Sequence, residues 1–203
     1  MKKSAYLLFI FLLSSSISGC TGEVEEATEA EKGEDMSGAD LSYTNMSDRD
    51  LSYVNLSAAN LNYTMLQGVD LRHADLRHAW LTGADLTGAD LRHAALNVAW
   101  MNGANLTGAN LNGAYLNGAN LYDANLTGAD LSGAYLHQAI LQDADLTYAI
   151  LYDANLRYAY LRYADLGRAA LMNADLTGAD LRHSILYYAD LSNTNLSGAD
   201  LSD

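Results

Sequence analysis

Proline is missing altogether from this chain of 203 residues, phenylalanine occurs twice, and the only cysteine is Cys20. A single thiol excludes any internal disulfide, and with it any reading of redox compartment from paired cysteines. A globular core usually draws on Leu, Ile, Val and Phe together. Here Ala, Leu, Asp, Asn and Tyr dominate instead, a narrow vocabulary that points to a repeated structural unit. Basic residues are scarce too: 11 Lys and Arg stand against 25 Asp and Glu, a formal net charge of -14. Neutralising phosphates takes clustered Lys and Arg, so no nucleic-acid-binding surface is expected. Such acidity suits a basic partner, cations, or plain solubility.

What is present begins with an ordered N-terminus. Lys2 and Lys3 precede an apolar stretch at residues 5–13 (AYLLFIFLL), and a small-residue segment comes next at residues 14–19. That is the layout of a secretory signal, and it is too short to cross ~30 Å of hydrocarbon as a helix. Its last four residues, Ile17-Ser18-Gly19-Cys20, resemble a lipobox. The resemblance implies removal of residues 1–19 and diacylation of Cys20 as the mature N-terminus; two acyl chains anchor stably where one does not. An ordinary signal peptide ending near a cysteine is the plainer alternative. Thr21 follows the cysteine, and the absence of Asp there resembles the outer-membrane sorting pattern of Gram-negative bacteria. A Gram-positive or archaeal surface would look the same.

Residues 20–35 form the next unit. Residues 21–35 (TGEVEEATEAEKGED) carry seven carboxylates against one Lys and no aromatic residue. Such a segment cannot bury enough apolar surface to offset its ordering entropy, so a flexible acidic tether is expected. Its Ala and Glu would also allow a short helix that caps the adjoining repeat region.

From Met36 to Leu201 a large apolar residue stands at every fifth position, Leu everywhere except Met36, Met46 and Met101. Two residues earlier is a small residue, usually Ala, and just before the Leu is most often Asp or Asn. Period five fits neither regular element. On a helix successive Leu would step by 140° and wander round the cylinder, and on a flat strand they would alternate faces. The chain must bend once per five residues so that every Leu meets a common axis.

These ADLTG, ANLNG and ADLRH units resemble the pentapeptide-repeat family, A(D/N)LXX, from Met36 to Asp203 without interruption. The resemblance implies an all-β fold, a right-handed quadrilateral parallel β-helix with four pentapeptides per coil and about eight coils over residues 36–203. The Leu and the small residue two before it would face inward. Residues 20 apart should then stack, as the columns Thr87/Thr107/Thr127/Thr147 and Trp80/Trp100 suggest. At the ~4.8 Å inter-strand spacing the rod is on the order of 40 Å long. Thr44, Arg49, Val54, Thr64 and Val69 occupy the small inward slot near the start. Arg49 cannot be buried unpaired at tolerable cost, so a distorted first coil is expected.

Four outward faces result from this register. The face around Leu86, Leu106, Leu126 and Leu146 is flat and polar with a Thr column. It resembles threonine-lined ice-binding surfaces, although Thr and Gly also suit tight coils. A second face aligns Asp50, Asp70, Asp90, Asn110 and Asp130, whose like charges repel by ~0.9 kcal/mol per pair in water. Such a column could attract cations or a basic partner, or simply be solvated. Trp80, Trp100, Ile140 and Tyr160 form a third column, with Tyr115 and Tyr135 in the next. Trp and Tyr are enriched in binding hot spots, so these five aromatics are the candidate partner-binding residues; packing between coils is the alternative. His73, His78, His93 and His183 lack a convergent third metal ligand.

No catalytic constellation, cofactor motif or concave pocket is recognisable, so no enzymatic activity is expected. The reading is a lipid-anchored envelope scaffold or adaptor with an unknown protein partner. Because the repeat runs to the last residue, an exposed edge there also invites an end-to-end homodimer. A rival comes from the quinolone-resistance pentapeptide proteins, whose acidic rods occupy the DNA site of gyrase. That resemblance implies DNA mimicry, which an exported lipoprotein would have no occasion to practise. Cation or ice binding at the envelope is a third possibility.

Overall fold

The structure, a computed structural model, describes residues 33–203. Cys20, the signal segment and most of the acidic tether lie outside the described residues. From Gly33 to the C-terminus the chain winds as a right-handed quadrilateral β-helix, one pentapeptide to a side. Every side carries one parallel bridge to the residue 20 further on, from Asp35↔Asn55 through to Asp180↔Asp200. Among the described residues the first hydrogen bond of this winding is at Glu34, whose carbonyl accepts from the Asn55 N–H at 2.8 Å.

The bonding scheme explains the five-residue unit. In the Leu106 side, the Leu106 N–H donates to the Asn125 carbonyl at 2.7 Å. The Asn125 N–H donates back to the Ala104 carbonyl at 2.9 Å. Two turn residues come after each Leu, and the next small residue closes the turn: Ala109 N–H donates to Leu106 C=O at 2.9 Å. The second turn residue is left-handed throughout, with φ between 54° at Tyr158 and 69° at Gly198 from Gly38 onward. Glycine takes that conformation without steric cost, yet Tyr, His, Asp and even Val98 hold it here. The repetition of paired coils therefore overrides local preference.

Inside the tube, Leu and Ala from both inward positions are buried to within about 2% exposure from Leu51 to Leu181. A coil alone encloses nothing; stacking creates the core, so stability is a sum over neighbouring coils. Ala suits the second inward slot because the corner is tight. Where Thr44, Val54, Thr64 and Val69 replace it, the closing bond stretches to 3.3–3.4 Å. Thr64 is buried, and its hydroxyl is satisfied by donating to the Leu41 carbonyl at 2.9 Å.

Arg49 corrects the expectation of a distorted first coil. The bridges Asp35↔Asn55, Asp40↔Asn60, Asn45↔Met65 and Asp50↔Asp70 are all present. Disruption is confined to one corner. Among the described residues from Ala39 on, Arg49 is the one inward-slot residue whose N–H does not close its turn. Its side chain is half-buried, in the first described coil.

Burial falls off over the last described coil. Leu186, Leu191 and Leu196 are only partly buried and Leu201 is 46% exposed. The N–H groups of Leu186, Tyr188, Leu191 and Leu196 find no partner among the described residues. These are the unpaired groups of a sheet edge, repeated around the tube.

Candidate functional site

The residue before each Leu has a local duty that determines which surfaces are unusual. Every described Asp or Asn there accepts, through Oδ1, the N–H of the first turn residue. Asp85 accepts from Thr87 at 3.1 Å and Asn125 from Thr127 at 2.9 Å. A bond of this kind contributes about 1 kcal/mol and fixes the bend. Placing Trp, Tyr or Ile at that position gives it up, so each such residue marks a departure from the economical solution.

Trp80 and Trp100 bridge directly, as do Tyr115 and Tyr135, so the 20-residue register holds. Tyr160 bridges Ile140 in the same column as the tryptophans. All five candidate aromatics are exposed, from 42% at Tyr115 to 52% at Trp80. Their surroundings differ. Tyr115 and Tyr135 stack on one another, centroids 5.0 Å apart and rings 5° from parallel, which is packing between coils. Trp80 and Trp100 make no such pair, and with Asn62 and Thr82 they border an open depression of about 400 Å³. At Trp80 the lost turn bond is replaced from the neighbouring coil: Asn62 Oδ1 accepts from the Thr82 N–H at 2.9 Å. Asn117 serves His137 beside Tyr135 in the same way, at 3.1 Å. At Trp100 and Tyr160 nothing replaces it, and the N–H groups of Asn102 and Arg162 are left without an acceptor among the described residues.

The aspartate column is not the bare acidic strip that its sequence suggests. Arg72 forks onto Asp70, with bonds of 2.9 and 2.5 Å, and Arg92 onto Asp90 at 2.9 and 2.6 Å. Arg72 also lies 3.7 Å from Asp90, so the four side chains form one ladder. Hydrogen bonds from the arginines hold both carboxyls below the usual carboxylate range. Asp50 accepts from the Ser52 N–H and Asp130 from the Ser132 N–H and hydroxyl. Beyond Asp130 the column continues as Ile150 and Ala170. Two of its four carboxylates are therefore paired locally with an arginine two positions along the chain, and the other two accept from serine.

His73, His93 and His183 belong to corner ladders. Tyr53, His73 and His93 stack in sequence at 4.8 and 5.2 Å. His93 then lies over Gly113, where an added Cβ would meet its ring at 2.6 Å. Tyr63 ends on Gly83 and Tyr158 on Gly178 in the same manner. A side chain at those corners would have to displace the ring packed over the glycine. Among the described residues no three His, Cys, Asp or Glu side chains gather as a metal site, and no helix is long and apolar enough to cross a membrane.

One cluster lies beyond the five aromatics expected from the repeat. Seven of the 14 tyrosines stand between residues 148 and 188, with Arg157, Arg162, Arg168 and Arg182. Arg168 sits between two rings of its own column, 5.4 Å from the Tyr148 centroid and 5.7 Å from that of Tyr188, and donates to the Tyr148 hydroxyl at 2.7 Å. Arg162 lies 5.2 Å from the Tyr163 ring, which stacks on His183. Among the described residues neither guanidinium forms a salt bridge with a carboxylate, and Arg162 Nε is buried without a partner. Ile185, Tyr187 and Tyr188 complete the patch at 52%, 64% and 69% exposure. Its signal is in the sequence: Tyr148, Arg168 and Tyr188 are 20 apart.

The family model for pentapeptide repeats (8 copies) matches residues 39–77, 70–108, 99–138, 139–178 and 164–203. The chain belongs to the pentapeptide-repeat family. Among solved structures it is similar to HetL, a pentapeptide repeat protein involved in heterocyst differentiation regulation from the cyanobacterium Nostoc sp. strain PCC 7120. The two share 31% identity over 86% of this chain and 90% of HetL, with a TM-score of 0.57. It is also similar in fold to QnrB1, a plasmid-mediated fluoroquinolone resistance protein, at 21% identity over 85% and 89% of the two chains and a TM-score of 0.60. No curated protein sequence matches it. As a pentapeptide-repeat rod, the chain offers flat sides and corners rather than a cleft, so whatever it recognises must be met by an exposed surface.

Proposed function

We propose that this chain is a non-enzymatic scaffold of the cell envelope. It is held at the membrane by diacylated Cys20, at the outer membrane in a Gram-negative host and otherwise at the cell surface, and it docks a protein through its aromatic side. The observation that carries the docking surface is the patch around Tyr160, Arg162 and Arg168. Tyr and Arg are the side chains that dominate interface energetics, and here Tyr160 and Arg168 are exposed with Arg162 half-buried. The charge supports a class of partner. Arg162 and Arg168 lie against tyrosine rings without a bound carboxylate, so the complement is a protein surface offering Asp or Glu. The DNA-mimic reading is weaker on location, and Arg72 and Arg92 offset two carboxylates of the aspartate face. Self-association end to end is supported by the half-exposed Leu186, Leu191 and Leu196 of the last coil.

The test is capture from envelope extracts by the full-length lipoprotein, compared with the Arg162→Ala/Arg168→Ala double variant. The expected result is a partner held by the wild type and released by added salt. Binding by the double variant should be weaker by ~30-fold, as for a pair of hot-spot side chains. Equal retention by both proteins would rule out the patch.

A further inference from the structure

The other half of the aromatic side has a different chemistry. Between Asn60 and Asn120 the column of Trp80 and Trp100 and the adjacent column of Asn62, Thr82 and Asn102 contain no ionisable side chain. In a chain of net charge -14 this is a neutral island. It presents two indoles, 52% and 50% exposed, over an open depression of about 400 Å³. Around them are polar groups with no partner among the described residues. These are the Thr82 hydroxyl, the side-chain nitrogen of Asn62, the Asn102 carboxamide and the Asn102 backbone N–H that Trp100 leaves uncapped.

We infer that this island binds a neutral polysaccharide built of pyranose rings. A pyranose has an apolar C–H face and a rim of hydroxyls that each donate and accept. Flat indoles match the face, while amides, a hydroxyl and a free backbone N–H match the rim. A protein partner fits less well, because the island offers no Arg and a stable interface needs about 800 Å² per partner, far more than two indoles supply. An acidic glycan is disfavoured by the chain's net charge of -14. Trp80 and Trp100 stand one coil apart along the rod axis, so a chain of rings lying along the rod can meet both. This surface is separate from the Tyr/Arg patch and stands or falls without it.

Trp80 and Trp100 are the only tryptophans of the chain, so intrinsic tryptophan fluorescence reports on the island alone. Purified full-length protein is titrated with neutral cello- and chito-oligosaccharides and with acidic oligogalacturonate. The inference expects a saturable change in emission with a neutral oligosaccharide and none with the acidic one. Affinity should fall by about tenfold or more in Trp100→Ala, with the remaining Trp80 and a direct pelleting assay as readouts. Asn102→Asp, which leaves both indoles in place and adds charge, should weaken binding comparably; unchanged circular dichroism shows that either variant is folded. Co-sedimentation with insoluble chitin and with cellulose gives a second readout, and pelleting with either supports the inference. No emission change and no pelleting with any neutral glycan, or equal binding by wild type and both variants, overturns it.

Discussion

Ala104→Arg is expected to destabilise the solenoid by ~5 kcal/mol or more, enough to unfold most or all of it at ordinary temperature. Ala104 fills an inward slot in mid-rod and is fully buried, between the equivalent residues Ala84 and Ala124. A guanidinium there would lose its hydration, find no carboxylate inside a tube lined by Leu and Ala, and overpack the corner. Native Arg49 occupies the same type of slot, and its survival defines the exception. It is only half-buried, in the first described coil, and its corner has already given up the closing turn bond. Arg49→Ala should therefore be neutral or stabilising by about 1 kcal/mol, as the bond re-forms. Urea denaturation monitored by circular dichroism gives both values. A soluble, cooperatively unfolding Ala104→Arg protein of wild-type stability would mean that the inward slot is not sealed.

Leu126→Ala is the second large effect, expected at about 3–5 kcal/mol. Its side chain is fully buried, with Leu106 and Leu146 in the coils on either side. Leu196→Ala should cost less than half as much, because Leu196 has a neighbouring coil on one side only and is already half-exposed. The contrast tests the solenoid itself, since in a globular core burial would not grade along the chain. Hydrogen exchange provides a second readout. Protection should fall first around the Leu126 coils in one variant and only at the C-terminal coil in the other.

Much of this architecture is legible from the repeat alone. A five-residue period with Leu and Ala inward forces a bend per unit, and stacking every 20 residues sets Trp80 on Trp100 and Tyr115 on Tyr135, as the bridges bear out. What the period does not carry is how side chains two positions apart on the chain meet. Asp70 and Arg72 look like one column of acid beside one of base, and only the turn geometry reveals that they fork onto each other. The same holds across coils, where Asn62 takes over the Thr82 N–H that Trp80 cannot cap. The distortion expected at Arg49 is too severe for a related reason, since an inward position means full burial only where a further coil covers it. The Tyr/Arg patch escapes the sequence pattern although its residues are in register. An aromatic stands out at the position before Leu, where Asp or Asn is the rule, whereas Tyr148, Arg168 and Tyr188 occupy the turn, where many residue types occur.

Everything proposed about function depends on the rod being outside the cytoplasm and held at a membrane. Metabolic labelling with radioactive palmitate, combined with fractionation, tests that directly in the wild type and in Cys20→Ser. Wild-type protein is predicted to take up label and to sediment with membranes until detergent is added, and Cys20→Ser to lose both properties. An unlabelled wild-type protein in the cytosolic fraction would contradict the envelope scaffold.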